Sequence, residues 1–145
     1  MKFMESAVNE AKKAFIKNEI PVGCVITCND NIIASSHNTT IDESDCTCHA
    51  EINALKLAMK NKGERILDDC DMYVTLEPCP MCAGAVINAK IKRLYIGAME
   101  PKSGCFGSVV DFNKLSFNHK PEVYYGICED KCKEIIISFF EKLRK

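Results

Sequence analysis

Four side chains in two short motifs have the types and spacing of a metal-assisted hydrolytic site. Cys48-His49-Ala50-Glu51 stands where a helix begins, and Glu77-Pro78-Cys79-Pro80-Met81-Cys82 where a strand gives way to a helix. Cys79 and Cys82 are three apart, so on a helical turn they share a face. A helix N-terminus also favours the thiolate, the form that binds metal. With His49 they make a normal ligand set for Zn²⁺, and three protein ligands leave a fourth position for water. Glu51 does not share a helix face with His49, so it is expected to reach that water and not the metal. Zinc brings the pKa of a bound water toward roughly 7, and a nearby carboxylate can take the proton and pass it on. Such a shuttle is what replaces an exocyclic amine with oxygen. Taken singly, each motif has a plainer reading: a helix-start histidine beside a solvated glutamate, or two buried thiols. Together, in this order, they predict one catalytic zinc per chain.

The elements that must hold these residues follow from periodicity. Met4, Ala7, Val8, Ala11, Ala14 and Phe15 recur at three- and four-residue steps, so 2–18 reads as an amphipathic helix ended by Pro21. Residues 22–28 and 32–35 read as two strands joined by a tight turn at Asn29-Asp30-Asn31. The polar stretch 37–47 reads as a loop, and 50–60 as a helix stopped near Gly63. Beyond it come a strand over 71–76, a short helix over 80–88 with proline at its start, and a strand over 93–97. A glycine-containing loop from Ala98 to Gly107 follows, then a last strand at 122–125. A closing helix has Cys132, Ile135, Ile136, Phe139, Phe140 and Leu143 on its apolar face. Strands alternating with helices predict one α/β layered domain over 1–145, with some parallel pairing.

Composition narrows the class. The chain has 145 residues, 47% of them hydrophobic, enough to build a core. No apolar run approaches the roughly 20 residues that span a bilayer, and the first residues do not read as a secretory signal. A cytoplasmic protein is expected. Its ten cysteines are then reduced thiols, with Cys24, Cys28, Cys70 and Cys128 read as packing residues. The net charge of −1 carries no global signature of a nucleic-acid binder. Local basic clusters remain at Lys90, Lys92 and Arg93, at Lys102, and at Lys142, Arg144 and Lys145.

The order H-x-E…P-C-x-x-C is similar to that of zinc-dependent nucleobase deaminases. The chain resembles the bacterial tRNA adenosine deaminases along nearly its whole length. The stretches that carry the likeness are NEIPVGCVI (18–26), SHN (36–38), HAEINAL (49–55), YVTLEPCPMCAGAVINAKIKRLYIGA (73–98), KSG (102–104), GSVVD (107–111), NHKPEV (118–123) and SFFEKLRK (138–145). The resemblance implies a three-layer cytidine-deaminase-like α/β fold, with a central five-stranded mixed sheet flanked by helices. It also implies a homodimer with one Zn²⁺ per subunit, acting on adenosine at the wobble position of a tRNA anticodon loop. On that reading Glu51 is catalytic, and His49, Cys79 and Cys82 hold the metal. Asn38 hydrogen-bonds the purine; its plainer role is a turn residue capping its own loop. Glu19, Ile20 and Pro21 help to wall the pocket, and Lys102, Ser103, His119 and Arg144 lie along the RNA.

Two positions depart from the family pattern: Glu100 stands where aspartate is common, and Thr40 where proline is frequent. Guanine deaminases also carry PCPMC and are the alternative, although they generally lack the TLE lead-in and the KSG…GS loop. Riboflavin-pathway deaminases insert residues between the two cysteines, and free-cytidine deaminases usually replace the histidine with cysteine. A non-catalytic zinc-stabilised nucleic-acid-binding module would have no use for Glu51.

Overall fold

The computed structural model describes residues 1–145. Its strands are β1 (Gly23–Cys28), β2 (Asn31–His37), β3 (Cys70–Leu76), β4 (Arg93–Ala98) and β5 (Glu122–Tyr124), and its helices α1 (Lys2–Ile16), α2 (Ala50–Lys62), α3 (Pro80–Ala89) and α4 (Glu129–Leu143). The sheet order is β2-β1-β3-β4-β5. β1 pairs antiparallel with both β2 and β3, whereas β3–β4 and β4–β5 are parallel. The sheet is therefore mixed, with β1 running against the other four strands.

Alternation along each strand divides the core. Cys24, Ile26, Met72, Val74, Leu94 and Ile96 point to one face, where Ala54, Leu55 and Ala58 of α2 and Ala83 and Val86 of α3 cover them. Val25, Tyr73 and Tyr95 point to the other, against Met4, Ala7 and Val8 of α1 and Cys132 of α4. Both faces of the central strands are covered, as parallel pairing requires. On the α1/α4 face three register partners, Tyr73, Tyr95 and Tyr124, stack across adjacent strands. Their ring centroids lie 4.4 and 5.0 Å apart, with interplanar angles of 3° and 18°.

The boundaries follow from local chemistry. Asn29 and Asp30 both adopt positive φ, 51° and 61°, the paired left-handed conformation that closes a two-residue hairpin. Gly63 caps α2 at φ 71°, where the lack of a Cβ removes the steric cost. Three expectations shift. The second strand continues through His37, because Ser36 and His37 pair with Cys24 and Gly23 on a sheet edge that tolerates polar side chains. A short 3₁₀ turn at Phe112–Lys114, capped by Asp111, has no periodicity to announce it. The apolar face of α4 buries only Cys132 and Phe139, while Phe140 and Leu143 stay exposed. No helix is long and apolar enough to cross a membrane.

Candidate active site

The two motifs meet outside the C-terminal end of β3. His49 is the N-cap of α2 and Cys79 the N-cap of α3, so two helix N-termini converge on one point. Their unpaired N–H groups make it electropositive and favour thiolates. Pro80 opens α3 at the position where its missing N–H costs nothing. The ligand atoms of His49, Cys79 and Cys82 lie within 4.8 Å of one another. His49 Nδ1 is 3.5 Å from each sulfur. Tetrahedral zinc, with its usual bonds to nitrogen and sulfur, gives an N···S edge of about 3.6 Å. The cluster therefore has the size and donor types of a zinc site with three protein ligands.

Electrostatics agree. Hydrogen bonding from Cys82 pulls the Cys79 thiol well below its ordinary value, helped by His49, although burial opposes it. The same contact with Cys79, together with burial, pushes Cys82 up. A divalent ion bound between them would let both sulfurs ionise. Glu51, the second residue of α2, lines the same cavity and is 4% exposed. Burial, with the Cys79 charge beside it, pushes its carboxyl up to about 7. A buried carboxyl that titrates near neutrality suits a group that takes and returns a proton.

These residues open into a cavity of about 190 Å³, lined among others by Ile20, Asn38, Leu76, Ser103, Ile136 and Phe140. That is below the roughly 300–1,000 Å³ of pockets that enclose drug-sized ligands, and fits a single flat ring system. Asn38 sits in the wall while its Oδ1 accepts from Thr40 N–H at 3.3 Å and its Nδ2 donates to the Ile20 carbonyl at 3.3 Å. It thus caps its own loop and faces the cavity. A proline at position 40 would have no N–H to give. Glu19 is behind the wall, where its carboxylate accepts from Ile41 and Asp42 N–H at 3.0 and 2.8 Å and so fixes the loop that follows Asn38. Pro21 is buried beside it and does not line the cavity.

The loop after β4 forms the opposite wall. Ser103 and Glu100 line the cavity, and Lys102 beside them is exposed. Arg144 is the C-cap of α4, four residues beyond Phe140, and is not among the residues lining the cavity. His119 is elsewhere: its Nε2 lies 2.7 Å from the Ile91 carbonyl, at the end of β4 away from the cavity.

Glu77 is the residue whose importance spacing does not reveal. Its carboxylate, 3% exposed, accepts from the N–H groups of Glu100, Phe106 and Ser108 at 3.0, 3.0 and 3.1 Å, and from the Ser108 hydroxyl. A Cβ on Gly104 would fall 2.5 Å from Oε2 and closer still to the other carboxylate atoms. The loop is seated on this one side chain. The available signal was an acid between Leu76 and Pro78 at the end of a buried strand. Ile136 and Phe140 were legible as apolar residues, but not as walls of the cavity.

Residues 1–98 match the cytidine and deoxycytidylate deaminase zinc-binding region. The chain is 42% identical over 144 residues to the tRNA-specific adenosine deaminase of Bacillus subtilis (strain 168), covering 99% of this chain and 89% of that one. A solved structure from work on A-to-I editing by tRNA:A34 deaminases at the wobble position of transfer RNA superposes with a TM-score of 0.90 at 43% identity, covering 92% of this chain and 98% of that one. Guanine deaminase from Bacillus subtilis is less similar, with a TM-score of 0.65 at 30% identity, covering 81% and 85%.

Proposed function

Because the chain belongs to the cytidine and deoxycytidylate deaminase family, we propose that it is a zinc-dependent hydrolase converting adenosine to inosine at the wobble position of a tRNA anticodon. The observation that carries the chemistry is the buried Glu51 carboxyl beside the His49, Cys79 and Cys82 cluster in a base-sized cavity. Zinc held by those three residues supplies the Lewis acidity that makes water a nucleophile near neutral pH. Glu51 takes a proton from water as its oxygen adds to C6 of adenine. It returns the proton to the departing amine, so adenosine and water become inosine and ammonia. Ile20, Leu76 and Phe140 exclude bulk water, and Asn38 offers its amide to the purine edge.

A cavity of this size leaves the ribose and phosphates outside. An unpaired loop nucleotide enters it without the cost of opening a duplex. Lys102, Ser103 and Arg144 lie along the RNA backbone in this reading. His119 joins them only if the strand also follows the far side of the sheet. The 145 residues act as one domain, in the cytoplasm, as a homodimer; a monomeric mass by light scattering at micromolar concentration would remove the dimer.

The test is to incubate the zinc-loaded protein with an anticodon stem-loop bearing adenosine at the wobble position, and separately with free guanine and free cytidine. Inosine in the digested stem-loop is the expected product. Turnover of guanine with an unchanged stem-loop would overturn the proposal in favour of the guanine deaminases.

A further inference from the structure

At the opposite end of the sheet, two more cysteines come together. Cys28 ends β1 and Cys70 begins β3, and the antiparallel register sets them directly opposite each other. Asp69 precedes Cys70 and turns its carboxylate to both thiols, with 3.5 Å from Cys28 Sγ to one oxygen and 3.5 Å from Cys70 Sγ to the other. All three ligand atoms lie within 4.8 Å of one another. Read from sequence, Cys28 and Cys70 are packing thiols. The fold makes them a cluster with one buried sulfur, one half-buried sulfur and one exposed carboxylate.

We propose that Cys28, Asp69 and Cys70 form a second metal site, one that takes a thiophilic divalent cation such as Zn²⁺. Two sulfurs and one carboxylate select a borderline-soft ion over Mg²⁺ or Ca²⁺, which require oxygen donors. The charges also favour a cation. Two thiolates, the Asp69 and Glu64 carboxylates and the Lys62 ammonium between them, at 3.0 and 3.1 Å, carry a net −3, which a divalent ion reduces to −1. Lys62 engages Asp69 Oδ1, which leaves Oδ2, the oxygen beside Cys28 Sγ, as the ligand atom. A cation must displace the thiol protons, as at other thiolate sites. The exposed side of Asp69 leaves room for water to complete four-coordination. Six strand steps separate Cys70 from Leu76, about 20 Å at 3.3 Å each, so the site is independent of the catalytic one.

Equilibrium dialysis of the reduced, full-length protein against buffered Zn²⁺, with metal counted by mass spectrometry, tests this. Two equivalents are expected per wild-type chain and one in Cys28→Ser/Cys70→Ser, with deaminase turnover unchanged. Asp69→Asn should weaken the second equivalent at least about tenfold and leave the first alone. It also provides a surface variant if the double serine change does not fold. One equivalent in the wild type, or two in the double variant, overturns the proposal. So does a second equivalent bound as tightly by Asp69→Asn as by the wild type.

Discussion

Replacing Glu77 with glutamine keeps the side chain's size and changes only what it can accept. If the amide oxygen takes the place of Oε2, it still receives the N–H groups of Phe106 and Ser108. The amide nitrogen then stands where Oε1 received Glu100 N–H, donor facing donor. The Ser108 hydroxyl can rotate and accept, so one bond is lost outright and two lose a charged acceptor. A hydrogen bond to a charged group contributes about 1.5–3 kcal/mol, and an unsatisfied buried donor costs about 1–3 kcal/mol. Glu77→Gln should therefore destabilise by about 2–4 kcal/mol. For a chain of this length, each kcal/mol moves Tm by about 3–4 °C, so calorimetry of the zinc-loaded protein should show Tm falling by about 6–16 °C. Ser108→Ala, which removes the hydroxyl, keeps all three N–H bonds and leaves no donor unsatisfied, should cost less, about 1.5 kcal/mol. Glu100 and Ser103 ride on the same loop, so KM should rise in Glu77→Gln more than kcat falls. A Tm within about 2 °C of wild type would refute the idea that this carboxylate seats the loop. Equal losses in the two variants would refute it as well.

Three further outcomes follow from the site and its surroundings. Glu51→Gln should keep its zinc, by metal analysis, and lose at least about 10²-fold in inosine release, since proton transfer and not ligation is removed; near-wild-type turnover would end that assignment. Burial raises the Glu10 carboxyl, but His37 at 2.9 Å and Lys13 at 2.7 Å outweigh it and hold the group below its ordinary 4.5. A depressed acid contributes stability above its unfolded pKa that disappears as pH falls through the folded value. Urea denaturation should therefore show Glu10→Gln less stable than wild type at pH 7, with the gap closing below about pH 4.5; a gap independent of pH would contradict the ion pair. Lys102→Ala with Arg144→Ala should weaken stem-loop binding and flatten its salt dependence by about one unit per lost phosphate contact, leaving melting unchanged; an unaltered slope would make both residues simple surface charges.

The parts legible in the sequence were those with a period or a fixed local spacing. Helices α1 and α2 announced themselves by apolar steps of three and four, β1 and β3 by short apolar runs, and the metal cluster by C-x-x-C on a helix start with H-x-E on another. The illegible parts depend on partners far apart in the chain. Glu77 binds a residue 31 positions later, and nothing near either one signals it. Ile136 and Phe140 sat correctly on the apolar face of α4, but periodicity gives a face and not what it meets. Cys28 and Cys70 are 42 residues apart and became neighbours only through the antiparallel register.

The stacked tyrosines give the molecule its own optical reporter. It has no tryptophan and four tyrosines, three of them in the column across β3, β4 and β5. Rings held this close and nearly parallel couple electronically, so the near-ultraviolet circular dichroism should be dominated by one spatial arrangement. Tyr124 belongs to the three-residue edge strand β5, the shortest in the sheet. Its separation from Tyr95 would change that spectrum before the rest of the sheet melts. Fraying of a single edge can thus be watched without a dye, a label or a substitution.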